Sequence, residues 1–205
     1  MDKKVIVIDL DGTFMLTNTF HQWIKFLFKE ELKKFHFITL SKILKIMLLR
    51  FLKYIDHSQM KYKILKISEN NMEHKQIHLF VHSLDKYLNN NILDMLSNKT
   101  DTFILATAAP MQYANYIKRI YYFDYVIATG YTSDNAWTEN IRKNKQMNLK
   151  NLLNTEGLNH KIDILFTDHH DDLALMYDAH ITYLVNPSKE TKIHIRNAGI
   201  KFILC

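Results

Sequence analysis

The chain has 205 residues, 47% hydrophobic and 23% charged, a balance that can bury a substantial core and excludes a disordered polymer. Its one cysteine, Cys205, excludes a disulfide framework or a cysteine metal site, and no uncharged apolar run approaches the ~18 residues of a spanning helix. The formal net charge of +6 would ordinarily suggest nucleic acid, but residues 15–98 hold 13 Lys and Arg against 7 Asp and Glu while the remainder holds 14 of each; the excess marks one segment, and no nucleic-acid partner is expected.

Met1 to Lys4 lead straight into the first element and leave no room for a secretory signal, so a cytoplasmic location is expected. The four β-branched residues Val5-Ile6-Val7-Ile8 predict a strand buried on both faces, because a half-buried strand alternates with polar residues. Asp9 and Asp11 fall where that strand must end, and Gly12-Thr13 supplies turn chemistry. Both carboxylates then lie at the carboxyl edge of a sheet, where open α/β folds bind ligands. Like charges this close repel, and a divalent cation is the simplest relief; the plainer reading is an acidic turn.

From about Asn18 to Asn98 the apolar residues recur with helical period, no Gly or Pro interrupts them, and Asn18 or Thr19 is available as an N-cap. Three or four helices are expected, joined at Asp56-His57-Ser58 and Ser68-Glu69-Asn70-Asn71, with a last helix near 83–98 belonging to the core. Between Ile38 and Ile55, Lys42, Lys45, Arg50 and Lys53 fall on one side of a helix, and Leu40, Leu44, Met47, Leu48, Phe51, Leu52 and Ile55 on the other. Such a face either packs against neighbouring helices or lies in an anionic membrane interface, which would make peripheral membrane contact through this basic helix.

After Asn98 strands and helices alternate. Thr102–Thr107, Tyr125–Ala128, Asp163–Thr167 and Ile181–Val185 read as strands, with a last edge strand at Lys201–Leu204. Met111–Tyr122, Lys145–Leu153 and Asp171–Ala179 read as helices, and Ser133-Asp134-Asn135 as a hairpin turn. The expected fold is α/β: a doubly wound, mostly parallel sheet formed by residues 1–14 and 83–205, with residues 15–82 inserted as an α-helical cap subdomain.

Three later stretches end elements in polar residues. Thr107-Ala108-Ala109-Pro110 puts a hydroxyl beside a helix start, where backbone N–H groups favour an anion, although an ordinary N-cap reads the same way. Lys145 opens a helix where a cation opposes the macrodipole; Lys143 and Lys150 are close by, and a solvated lysine is the alternative. Asp168 and Asp172 follow a strand within Thr167-Asp168-His169-His170-Asp171-Asp172. His169 and His170 could serve a softer metal, but adjacent side chains usually point apart.

Asp9-Leu10-Asp11-Gly12-Thr13, Thr107, Lys145 and Asp168 with Asp172 resemble, in order, the four motifs of the haloacid dehalogenase superfamily, most of whose members are magnesium-dependent phosphatases. The helical insert after the first motif and Leu184-Val185-Asn186-Pro187 resemble its phosphoserine-phosphatase-like branch. The resemblance implies that Asp9 attacks phosphorus to form an aspartyl-phosphate and that Asp11 acts as acid and base. It also implies that Thr107, the Ala108 backbone and Lys145 hold the phosphoryl group. Mg²⁺ would be held by Asp9, the Asp11 carbonyl and Asp168, with Asp172 holding a metal-bound water or orienting Lys145. Asp11 argues against halide chemistry, which needs no proton, and His169 departs from the small residue usual after the first motif-four aspartate. A phosphatase of a small phosphorylated substrate is the expectation; the alternatives are a phosphatase of lipid-linked phosphate at a membrane surface and a non-catalytic phosphoester-binding protein.

Overall fold

The structure, a computed structural model, describes residues 3–97, 100–131, 136–158 and 161–205. The chain divides into two compact units, residues 19–83 and residues 1–18 with 84–205. The hairpin turn expected at Ser133-Asp134-Asn135 lies outside the described residues.

The helical unit consists of α1 (Thr19–Lys33), α2 (Phe37–Phe51), α3 (His57–Asn71) and α4 (His74–Ser83). Its centre is aromatic: Trp23 and Phe80 are fully buried with ring centroids 4.7 Å apart, edge to face. A capping box starts α3, in which Asp56 accepts from the Gln59 backbone at 2.7 Å and Gln59 accepts in return at 3.1 Å. Ser68 to Asn71, expected as a connection, instead form the last turn of α3. The Asn70 and Asn71 side chains donate back to the Lys66 and Ile67 carbonyls at 3.1 and 2.8 Å, which closes that turn instead of opening a loop.

α2 also departs from expectation. It packs against α1 and α3 through Leu40, Ile43 and Ile46, whereas Leu44, Met47, Leu48, Phe51 and Leu52 stand in solvent. The packing stripe follows the 40, 43, 46 spacing, and Leu44, Leu48 and Phe51 lie about a third of a turn further round.

In the second unit the strands are β1 (Val5–Ile8), β2 (Thr102–Pro110), β3 (Tyr125–Tyr131), β4 (Trp137–Thr138), β5 (Ile162–Thr167), β6 (Ala179–Leu184) and β7 (Ile203–Leu204). Among the described residues they form one sheet in the order β4-β3-β2-β1-β5-β6-β7, parallel except for the antiparallel β3–β4 pair. Helices α5 (Asn90–Leu96), α6 (Met111–Ile120), α7 (Arg142–Thr155), α8 (Leu173–Asp178) and α9 (Lys189–Asn197) accompany it. The fold is the expected doubly wound α/β architecture. β1 is central because all four of its side chains are buried, and the chain leaves it first toward β2 and later toward β5, which puts the switch in strand order at its carboxyl end.

Several boundaries moved: the helix expected near 83–98 is a 3₁₀ turn over Asp85–Tyr87 followed by α5, and β3 runs on to Tyr131. β2 continues to Pro110, with its register against β3 shifting between Ala106 and Pro110, so Thr107 is strand and does not cap α6, whose N-cap position is Pro110. α7 begins three residues before Lys145, and the expected Asp171–Ala179 helix is a 3₁₀ turn over His170–Asp172 followed by α8. Helix α9 was not anticipated; Ser188 caps it by accepting from the Thr191 backbone at 3.0 Å, a signal present directly after Pro187.

Candidate active site

Asp9 is the first residue past β1, and its N–H donates to the Phe166 carbonyl at 2.9 Å, which fixes the strand end against β5. The chain then turns sharply, with Met15 N–H reaching the Leu10 carbonyl at 2.8 Å and Gly12 N–H the Met15 carbonyl at 2.8 Å. Gly12 has φ +77°, and a Cβ there would collide with the Asp168 carboxylate. Only glycine lets the turn and the end of β5 approach this closely. The motif glycine therefore has a packing reason that turn chemistry alone did not reveal.

Lys145, in the first turn of α7, is buried, while Lys143 is exposed. Its Nζ donates to Asp9 Oδ1 at 2.7 Å and to both Asp172 oxygens at 2.8 and 2.9 Å. Thr167, the last residue of β5, donates to Asp172 Oδ2 at 2.8 Å. Three hydrogen bonds thus tie Asp172 to Lys145 and Thr167, an arrangement suited to orienting the lysine. Burial by itself would lower the lysine's affinity for its proton, but the charges of Asp172 and Asp9 outweigh it and hold the ammonium well above its ordinary range.

Asp9 experiences opposing influences. Burial raises its pKa well above the ordinary value, Lys145 pulls it down, and the like charges of Asp172 and Asp168 push it up again. Asp168, half-buried, is pushed up to about 6, first by burial and then by Asp172 and Asp11, with His169 opposing. One ammonium therefore faces more carboxylate than it neutralises. The unmet charge, the oxygen-only donors and the Asp168 carboxylate set against the Gly12 turn fit a hard divalent cation held by Asp9 and Asp168.

Thr107 lies beside this cluster on β2, buried, with its Oγ1 accepting from the Ala109 backbone at 2.9 Å, so its O–H remains a donor. Residues that sequence reading missed brace it from behind. The buried Asn140 side chain donates to the Thr107 carbonyl at 2.9 Å and the Ile127 carbonyl at 3.2 Å, and Thr129 donates to the Ala108 carbonyl at 2.7 Å. No local pattern betrays Asn140, because the carbonyls that its amide braces come from β2 and β3.

His169 and His170 do not point apart as expected. An extended His169 followed by the 3₁₀ turn brings their rings to 4.1 Å, and His170 stacks on His194 of α9 at 4.5 Å. With Asp171 and Glu190 they form two partly exposed groupings of nitrogen and oxygen donors, separate in chemistry from the all-oxygen set around Asp9.

Residues 6–177 match the model of the haloacid dehalogenase-like hydrolases, and the chain belongs to that family. Solved structures share its fold. A protein of unknown function from Bordetella pertussis Tohama I superposes with TM-score 0.77 at 17% identity over 99% of each chain. A phosphoserine phosphohydrolase-like protein from Francisella tularensis gives 0.55 at 18%, over 98% of this chain and 94% of its own. A substrate-bound phosphoserine phosphatase gives 0.56 at 15%, over 95% and 91%. A search of curated protein sequences finds no match. The protein is thus a hydrolase with the architecture of the phosphoserine-phosphatase-like branch.

Proposed function

We propose that this hydrolase is a Mg²⁺-dependent phosphatase that cleaves a small phosphomonoester through an aspartyl-phosphate on Asp9, in the cytoplasm, with residues 19–83 serving as an inserted cap. The observation that carries the reading is the buried Asp9–Lys145–Asp172 chain at the carboxyl end of the central strand, with Asp168 set against Gly12.

Lys145 holds Asp9 Oδ1, and Oδ2, which makes no hydrogen bond among the described residues, is the oxygen that attacks phosphorus. As the Asp9–phosphorus bond forms and the ester P–O bond breaks, Asp11 gives its proton to the departing oxygen. In the second half Asp11 takes a proton from water, the water oxygen bonds to phosphorus, and the Asp9–phosphorus bond breaks to release inorganic phosphate. The Thr107 O–H, the Ala108 backbone N–H and the Lys145 ammonium stabilise the equatorial oxygens. Mg²⁺, when bound, neutralises phosphoryl charge and screens Asp9 from Asp168.

Assay of a phosphoester panel with and without Mg²⁺ tests this. Asp9→Asn should lower turnover by at least ~10³-fold while retaining the fold, and chelation should silence the wild type. Wild-type activity in Asp9→Asn would overturn the mechanism. No turnover of any ester, with phosphoesters still bound, would replace it with a binding protein, and restoration by Zn²⁺ but not Mg²⁺ would shift the metal assignment to the histidines.

A further inference from the structure

The helical unit carries 12 Lys and Arg against 5 Asp and Glu, and its most unusual element is α2. Around this helix run three sectors. Leu40, Ile43 and Ile46 are buried against α1 and α3. Phe37, Leu44, Leu48, Phe51 and Leu52 are exposed, Phe51 by 81% and Phe37 by 63%. At a 100° advance per residue, Lys42 and Lys45 follow on the far flank of the exposed apolar sector, and Lys53 lies two residues past the end of the helix, exposed, with φ +61°. Phe35, 74% exposed in the turn before α2, extends the apolar sector, its ring 6.2 Å from that of Phe37.

Single exposed leucines are ordinary, but a row of large apolar side chains along four turns of one helix is not. From Leu32 to Ile55 the sequence holds no Asp or Glu, and none of Lys42, Lys45, Arg50 and Lys53 is ion-paired among the described residues. We propose that α2 docks this unit on an anionic phospholipid surface, with Phe37, Leu44, Leu48 and Phe51 in the headgroup–acyl boundary and Lys42, Lys45 and Lys53 extended to lipid phosphates. The charge decides the occupant. A second copy meeting the face about a twofold axis would oppose lysines to lysines with no acid between them, whereas lipid phosphates supply the missing anions while the acyl boundary takes up the aromatic and leucine side chains. Lysine stems suit that edge, since their methylenes can lie along apolar surface while the ammonium reaches the headgroups.

Sedimentation of the full chain with vesicles of phosphatidylcholine alone, or with about one-third phosphatidylglycerol, tests the proposal without reference to turnover. The wild type should sediment with the anionic vesicles only and be released as salt rises. Leu48→Gln with Phe51→Gln should weaken binding at least ~10-fold, and Lys42→Gln, Lys45→Gln and Lys53→Gln by about fivefold each. All five positions are exposed, so circular dichroism and hydrolysis of a soluble ester should remain as in the wild type. No sedimentation at low salt, or binding indifferent to both sets of changes, would overturn the proposal. So would a wild-type dimer that the Leu48 and Phe51 changes dissociate, which would assign the face to a second copy.

Discussion

Around Lys145 the α/β unit takes an ammonium and two carboxylates out of water and pairs them within 2.9 Å, whereas along α2 the helical unit leaves large apolar side chains in water beside lysines that make no ion pair among the described residues. Each arrangement is costly where it stands: buried charge loses hydration, and exposed leucine orders water. The difference lies in where relief comes from. In the α/β unit most of it is internal, from Lys145 and Thr167, and a cation can supply the remainder. In the helical unit the α2 lysines make no ion pair among the described residues, and an anion from outside the chain would supply the relief.

The largest expected effect breaks the internal pairing. Lys145→Met leaves Asp9 and Asp172 as uncompensated buried charges and should cost ~3–5 kcal/mol in denaturant unfolding, with hydrolysis lost as well. The control is Lys150, half-exposed and 2.9 Å from Asp178, where the same substitution should cost no more than ~1 kcal/mol. Equal stability of the two variants would mean that the cluster is far more hydrated than its burial implies.

A second contrast runs around α2 itself. Ile43→Ala removes a side chain that is 1% exposed and should cost ~2–4 kcal/mol, while Leu44→Ala, one residue on and 56% exposed, should cost less than ~0.5 kcal/mol. Similar costs would show that the exposed face is covered in solution, and a concentration-dependent Leu44 effect would identify another copy as the cover.

The same pair of residues shows what the sequence could and could not reveal. Val5 to Ile8 and the strand–helix rhythm after residue 100 made the parallel sheet legible, because runs of β-branched residues have few other homes. The carboxylates of Asp9, Asp168 and Asp172 and the ammonium of Lys145 could be nominated because they stand near element ends in the order of the motifs that the chain resembles. Rotation of α2 could not be read: with apolar residues on more than half its circumference, periodicity does not say which of them meet α1 and α3. Asn140, Gly12's contact with Asp168 and the His169–His170–His194 stack depend on chain crossings that no local window contains.

Glycine offers a finer test of the close approach at the site. Gly12 and Gly157 both have positive φ, +77° and +62°, but only at Gly12 does a Cβ meet another side chain. Gly157→Ala should cost ~1 kcal/mol for backbone strain alone. Gly12→Ala should cost ~1–3 kcal/mol and also raise the Mg²⁺ concentration needed for hydrolysis, because the alanine methyl displaces the Asp168 carboxylate. If the two variants behaved alike in both readouts, the contact between the turn and Asp168 would not be maintained in solution.

The smallest effect is one of pH. Asp168 has an ordinary carboxyl value of 3.8 in the unfolded chain and is pushed up to about 6 in the fold, chiefly by burial, so between these values the folded protein holds a proton that the unfolded chain releases. The stability this group contributes is present below the unfolded value and is lost as pH rises through about 6. In metal-free protein at pH near 7.5, Asp168→Asn should therefore melt a few degrees above the wild type, and the gap should close as pH falls toward about 4. Mg²⁺ should reverse the order at the higher pH, since it compensates an ionised Asp168 and offers little to an amide. The same addition near pH 5 should raise the wild-type melting temperature less, because the carboxyl must first give up its proton. A gap that does not change between pH 4 and 7.5 would assign the difference to packing against Gly12, and a Mg²⁺ shift equal in wild type and variant would remove Asp168 from the cation's ligands.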